Sequence, residues 1–421
     1  MVVDLMERII IHSDMNSCYA SIECSLNPSL WGKPVAVGGN TKDRHGIILA
    51  KSEEAKKCGV KTGEVIWQAQ RKCPDLIILP PRFEIYQKYS RLAGEIYSDY
   101  SDRVEPMGMD EAWCDLTGTV SSFEQAEEIV EEIKGRFRNE LGITVSVGIS
   151  FNKIFAKLGS DLAGRDSHNI ITPDNFKEKL WHLPASAMMG VGRNTIKKLS
   201  SYGINTIGDL ARCSPQWLHT VFGVMGEEIW RYANGADTGE VMKKGEQPPV
   251  KSIGHGITCK DDLTTCQEVW RVFLSLAQNV EKRLKNEKMK ASSVQISVRN
   301  NRLNVKQFQC ELPIATQSAF EIAECAFELF KKNYNWLYDV RALTVRAINL
   351  QAEDTPVQMF LYDDYERHER QIKIDTAVFD LKRRFGEKAV FNCCLMMENK
   401  MPGKDNEKAV PFMKNYKQIG G

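Results

Sequence analysis

Residues 104–116 read Val104-Glu105-Pro106-Met107, then Gly108, then Met109-Asp110-Glu111-Ala112-Trp113-Cys114-Asp115-Leu116. Two short runs with apolar residues flank a glycine. That is the pattern of paired strands joined as a hairpin, with Gly108 to Glu111 at or beside the turn. Upstream, Glu7-Arg8-Ile9-Ile10-Ile11-His12-Ser13-Asp14 has the isoleucine run of a buried strand and ends on a further carboxylate, Asp14. Helical spacing follows over Ser17 to Asn27, and Pro28 stops it. A short strand at 34–39 comes next. A helix starts at Ser52, its expected cap, and ends at Gly59. Ile77-Ile78-Leu79 reads as a strand, 82–100 as a long helix, 124–138 as an amphipathic helix, 144–149 as a strand and 153–162 as a helix. Strands and helices therefore alternate to about residue 180, which indicates an α/β layer structure.

The pattern changes near Pro184. Residues 184–235 read as all-helical and include the glycine turn Gly190-Val191-Gly192, which opens a helix. Gly245-Glu246-Gln247-Pro248-Pro249 reads as a linker. Beyond it come a strand (252–259), a helix (266–286), strands near 292–298 and 307–312, a helix (317–333) and a strand (340–348), a βαββαβ order. A charged helical tail runs from Asp363 to about Arg384.

Composition excludes several classes. The 421 residues are 43% hydrophobic and 26% charged, with a net charge of +1, so neither a uniformly basic coat nor an acidic disordered chain is present. The charge is unevenly spread: residues 1–180 hold 22 basic and 27 acidic side chains, whereas 250–350 hold 15 and 10. An acidic first part suits carboxylates gathered around cations, and a basic third part suits a polyanion. No membrane-length apolar run and no basic signal-peptide start occur, so a cytoplasmic protein is expected. The 12 cysteines include no CxxC pair, which points to free thiols in a reducing compartment rather than zinc.

Asp14 at one strand end and Asp110-Glu111 at a hairpin tip make a minimal set of hard oxygen ligands. Two Mg²⁺ ions about 3.5–4 Å apart need such a set to clamp an attacking and a leaving oxygen. The wording around these residues is more specific than their spacing. His12-Ser13-Asp14-Met15-Asn16-Ser17-Cys18-Tyr19-Ala20-Ser21-Ile22-Glu23 and Asn27-Pro28-Ser29-Leu30-Trp31-Gly32-Lys33-Pro34 resemble the opening of Y-family translesion DNA polymerases. Met109 to Leu116 is similar to their S-x-D-E-A-x-x-D signature, with Gly108 in the serine's place. Val147-Gly148-Ile149-Ser150-Phe151-Asn152-Lys153-Ile154-Phe155-Ala156-Lys157 is similar to their V-G-I-x-x-N-K-x-x-A-K segment. The likeness is to the bacterial DinB and UmuC branches.

The resemblance implies an α/β multidomain right-hand polymerase. It would have an α/β palm in two parts (1–32 and 81–180), small fingers (33–80), an all-helical thumb with a helix–hairpin–helix (181–247), a βαββαβ little finger (250–350) and a C-terminal tail (351–421). It implies template-directed addition of a deoxynucleotide (dNTP) to a primer 3′ end by two-metal phosphoryl transfer, with low fidelity. Asp14, Asp110 and Glu111 would be catalytic, and with the Met15 carbonyl they would bind two Mg²⁺ ions. Asp115 is expected to be structural. Tyr19 falls at the steric-gate position, and the amides of Ser17, Cys18 and Tyr19 would meet the triphosphate. The family's tyrosine and arginine of the fingers helix read Glu53 and Lys56 here, and a family lysine falls on Gly164 beside Arg165. Lys56 and Arg165 are therefore the expected phosphate cations.

Gly190 and Gly192 would bind a DNA phosphate through backbone amides, while Lys251, Lys288, Lys290, Arg299, Arg302 and Arg346 would track primer-template DNA. Gln358-Met359-Phe360-Leu361-Tyr362 resembles the sliding-clamp pentapeptide, with Gln358 at a pocket rim and Met359, Leu361 and Tyr362 buried. A monomer with no membrane association is expected. Two other readings stand beside this one: a two-metal nuclease, which needs a further carboxylate cluster, and a catalytically weak adaptor bridging DNA and clamp, which would lack the carboxylates. No Walker A motif supports an ATP-driven factor.

Overall fold

Apolar runs of four to six residues can bury both faces only inside a layered sheet, and the first unit is built that way. The computed structural model describes residues 8–39, 46–246, 248–356, 365–386, 389–395 and 400–401. Strand β1 (Ile10–Met15) leads into helix α1 (Cys18–Leu26), which ends before Pro28. Next come β2 (Val35–Gly38), β3 (Ile48–Lys51), α2 (Glu53–Lys57), α3 (Ile66–Lys72) and β4 (Ile77–Leu79). Ser52 caps α2 by accepting from the Ala55 amide at 3.3 Å. These strands form a small sheet of order β3-β2-β4, with β2 and β4 parallel, over its own core of Ile48, Ala55, Val60 and Ile66.

Helix α4 (Phe83–Ser98), the hairpin β5 (Val104–Met107) and β6 (Glu111–Asp115), α5 (Phe123–Arg136), β7 (Val145–Ser150), α6 (Lys153–Leu162) and β8 (His168–Ile171) complete a five-stranded sheet of order β5-β6-β1-β7-β8. Alternation along β1 divides its side chains between two layers. Ile9, Ile11 and Met15 join the core that includes α4 and α5, where the Tyr97 hydroxyl donates to Ser13 Oγ at 2.8 Å. Ile10 and His12 face α6, packing with Ala156 and against Ser160. Gly148 makes that layer possible: a Cβ there would lie 1.9 Å from the Ala156 carbonyl oxygen and 2.4 Å from the Ser160 nitrogen.

Five helices follow: α7 (Phe176–Leu180), α8 (Arg193–Ser201), α9 (Ile207–Arg212), α10 (Pro215–Phe222) and α11 (Val224–Ala233). They share a core with Phe155 and Leu158 of α6.

The chain divides into two units between Pro248 and Pro249. The second holds β9 (Ser252–Leu263), α12 (Cys266–Asn286), β10 (Met289–Asn300), β11 (Val305–Thr316), α13 (Ala319–Asn333), β12 (Val340–Ala352) and α14 (Tyr365–Phe385). Its sheet order is β11-β10-β12-β9, all antiparallel. Thr265 and Glu268 close a capping box on α12. The charged helix α14, read as part of a tail, is docked on this unit. His368 meets Glu321 at 2.8 Å, Arg367 meets Glu324 at 2.8 Å, and Ser318 bonds Asp375. The pentapeptide Gln358–Tyr362 lies outside the described residues.

Glu281 on α12 carries a pH prediction. Burial pushes its carboxyl up to about 7, against the pull of Lys285, whose ammonium is 2.8 Å away. Between the ordinary value of 4.5 and about 7 the folded chain holds a proton that the unfolded chain has lost, so stability falls as pH rises through that window. A fall on the order of 1–3 kcal/mol is expected, at about 1.4 kcal/mol per pKa unit. Thermal melts from about pH 4.5 to 7.5 test it: Glu281→Gln should flatten the decline, and an unchanged slope would refute the assignment.

Candidate active site

The register across β6-β1-β7 assembles the site. Asp14 is paired with Glu111 on one side and Ser146 on the other, and His12 with Trp113 and Gly148. Directly paired residues share a face of a sheet. Asp14 and Glu111 therefore point to the same layer, with Asp110 one residue before β6 in the hairpin turn. The Met15 amide donates to the Asp110 carbonyl at 2.9 Å, tying that turn to the end of β1. Asp115 does not share in this: its carboxylate accepts from the Thr117 amide at 2.9 Å and stabilises a turn.

A cation already sits against these carboxylates. Lys157 of α6 places its ammonium 3.0 Å from Glu111 Oε2, 3.9 Å from Asp14 Oδ2 and 2.9 Å from Asp161 Oδ1. His12 Nε2 lies 3.3 Å from the same Glu111 oxygen, and its Nδ1 meets Ser160 Oγ at 2.7 Å. Burial lowers His12 below the usual imidazole range. Burial, then the charge of Glu111, pushes Asp14 up to about 7 and raises Asp110. Burial alone would raise Glu111 too, but the His12 hydrogen bond and the Lys157 charge outweigh it and hold it below its ordinary value.

Among the described residues no three His, Cys, Asp or Glu side chains converge closely enough to hold a metal ion in this conformation. The donor chemistry nevertheless fits a hard divalent cation: the three side chains offer carboxylate oxygens, and two of them are raised by burial and then by the Glu111 charge while the third is held by an ammonium.

Beyond the carboxylates, Ser17 precedes α1 in the left-handed region (φ 50°), and Asn16 ties this turn down. The Asn16 carboxamide donates to Ser146 Oγ at 2.6 Å and accepts from Thr144 Oγ1 and the Asp166 amide at 3.0 Å each. Cys18 is buried on Met15, its thiol 3.9 Å from the thioether sulfur. The Tyr19 ring stacks on Tyr86 at 4.3 Å and meets Phe83 edge-on at 6.1 Å. Tyr86 is fixed in turn by Glu23, which accepts its hydroxyl at 2.7 Å and binds Arg82. Lys56 is exposed and lies 3.6 Å from Glu53, so each offsets the other's charge. Arg165 is exposed, its Nε 3.5 Å from Thr144 Oγ1.

Gly190 has φ 84°, which suits glycine alone, and Gly192 is the N-cap of α8. In the second unit, the buried side chains of β10 and β12 (Ile296, Val298, Leu343, Val345) join the core under α12 and α13. Arg299 and Arg346 alternate with them and therefore belong to the opposite face. Arg302 lies in the β10–β11 turn with its guanidinium 5.9 Å from the Tyr338 ring centroid. Lys251 and Lys288 are exposed, but Lys290 is not a surface contact: it is buried and donates to the Thr355 carbonyl at 2.5 Å. Lys157, His12 and Asp161 are the residues that spacing alone did not single out. Their signal was alternation (His12 two before Asp14) and helical spacing (Lys157 and Asp161).

Residues 13–161 match the impB/mucB/samB family, 250–361 its C-terminal domain and 186–237 the DNA polymerase-iota thumb domain. A DNA polymerase IV of Acetivibrio thermocellus is 43% identical over 394 residues, 93% of this chain and 98% of its own. DNA polymerase IV 1 of Bacillus subtilis is 35% identical over 385 residues, 91% of this chain and 92% of its own. A solved Y-family DNA polymerase chimera, Dbh-Dpo4(243-245)-Dbh, shares the fold with a TM-score of 0.71 at 23% identity, over 82% of this chain and 99% of that one. The chain thus belongs to the impB/mucB/samB family, the Y-family of DNA polymerases, with its α/β palm, small fingers, helical thumb and βαββαβ little finger. Within that class it is of the DinB or DNA polymerase IV type, a translesion DNA-directed DNA polymerase. No helix among the described residues is long and apolar enough to cross a membrane.

Proposed function

We propose that this chain extends a primer on a damaged template by phosphoryl transfer at Asp14, Asp110 and Glu111. The observation that carries this is the pairing of Asp14 with Glu111 beside Asp110, on the sheet face where a lysine ammonium already rests. With the Met15 carbonyl these carboxylates would hold two Mg²⁺ ions. Divalent ions at such a site neutralise phosphate charge and polarise the attacking and leaving oxygens. The residues do the rest by position. The β1–α1 turn directs the amides of Ser17, Cys18 and Tyr19 to the triphosphate, where Lys56 and Arg165 add positive charge. In the thumb, Gly190 and Gly192 at α8 would hold primer-template DNA, and in the little finger Lys251, Arg299, Arg302 and Arg346 would do so, in each case by backbone phosphate contact without sequence readout. The pentapeptide at Gln358, Met359, Leu361 and Tyr362 would dock on a sliding clamp, and the chain would act as a cytoplasmic monomer. The adaptor reading is not favoured, because it accounts for none of the carboxylates.

Tyr19 is the proposed steric gate. Stacking on Tyr86 fixes the plane of its ring, so the ring works as a rigid wall for a sugar. Tyr19→Ala should raise ribonucleotide incorporation by about 10²-fold or more, since a lost steric clash of about 3 kcal/mol converts to that ratio. Single-nucleotide insertion of matched ribo- and deoxynucleotides measures it, and unaltered discrimination rules the gate out. Primer extension by carboxylate variants tests the reaction itself.

A further inference from the structure

Lys157 is nearly buried, its side chain 15% exposed, and its ammonium lies 3.0 Å from Glu111, 3.9 Å from Asp14 and 2.9 Å from Asp161. Asp161 is one helical turn further along α6 and 46% exposed, toward solvent from the other two. Nothing in the reaction proposed above requires a lysine touching a metal-binding carboxylate. We propose that Lys157 is a positioning residue acting as an internal counter-ion. It holds Glu111 and Asp14 beside each other before a divalent ion arrives, and it competes with that ion for Glu111.

Two partly buried carboxylates on paired residues repel, and a single adjacent cation offsets part of that repulsion. The same Glu111 oxygen that faces Lys157 also faces His12 at 3.3 Å, so this oxygen already has two partners within the protein before any ion arrives. For Glu111 to bind an ion, its hold on Lys157 must loosen, and Asp161 gives the ammonium a partner to keep when it does. Asp161 thus weakens the lysine's grip on the site and favours the exchange. Lys157 lies in the segment that resembles the family's A-K stretch, on a helix held against the sheet by Gly148.

The inference rests on the carboxylates being metal ligands, and the test separates the two. Mn²⁺ alone is titrated into the full chain, with free Mn²⁺ read by electron paramagnetic resonance and melting temperature followed in parallel. Lys157→Met should bind Mn²⁺ about tenfold tighter than wild type, melt lower without metal, and recover more on adding it. Lys157→Arg should stay within about threefold of wild type, since it keeps the charge. Asp161→Asn, which leaves the whole lysine charge to the site, should bind about threefold weaker. A lysine needed for packing alone would lower the melting temperature without tightening Mn²⁺ binding, and unchanged or weaker binding by Lys157→Met overturns the proposal. If Lys157→Met does not fold, Asp161→Asn decides: weaker binding supports it, and equal or tighter binding overturns it. Should Asp14→Ala and Asp110→Ala bind Mn²⁺ as wild type does, the metal-ligand reading itself has failed.

Discussion

Asp110→Ala and Glu111→Ala, singly or together, are expected to lower primer extension by about 10³-fold or more while leaving the chain folded. The size follows from the several kcal/mol of transition-state charge stabilisation that a metal site supplies, at 1.36 kcal/mol per tenfold. Retained folding follows from the structure for Asp110 in particular. Its carboxyl is held above its ordinary range by burial and by the Glu111 charge, so ionising it costs stability and its removal costs little. Glu111 is different: its loss takes the 3.0 Å partner from the Lys157 ammonium, leaving it Asp161 and the more distant Asp14, and should lower the melting temperature, yet the single Asp110 variant keeps the test clean. The assay is extension of a primed template with Mg²⁺ and dNTPs alongside a thermal melt. Extension by Asp110→Ala within about tenfold of wild type would remove the carboxylates from the mechanism.

Gly148→Ala should cost both stability and activity, from a position that touches no substrate. The added Cβ would meet the backbone of Ala156, Gly159 and Ser160 at 1.9, 2.8 and 2.4 Å, and backbone cannot rotate away as a side chain can. Helix α6 must lift from β7, at a cost of about 3 kcal/mol or more. It would carry Lys157 and the Ser160 partner of His12 away from the carboxylates. We expect a melting temperature lowered by about 5 °C or more and extension reduced at least about tenfold even below that temperature. A stable, fully active Gly148→Ala chain would show that the contact between helix and strand does not position the site.

Much of this architecture could be read from residue order because its signals are local. The turn at Gly108 and the isoleucine run before Asp14 each act within a few residues, and the ends read for α12 coincide with those of the structure. β3, β8 and α3 were not visible in this way. Strands of four residues gain their stability from neighbours: β8 lies parallel to β7, and β3 lies antiparallel to β2. The left-handed Ser17 also left no trace, since the strain is supported by distant Asn16 contacts with Ser146, Thr144 and Asp166. Lys290 looked like its exposed neighbours, yet the Thr355 carbonyl, far along the chain, takes its ammonium inside.

Residue order was enough to place the three acids on their strands, because alternation and turn chemistry act over short distances, and the resemblance of the surrounding segments supplied the role expected of them. It was silent on what those acids touch. That Glu111 faces a lysine and a histidine depends on strand pairing between Asp14 and Glu111 and on a helix closing over Gly148. Contacts between residues so far apart in the chain exist only once packing has chosen a register.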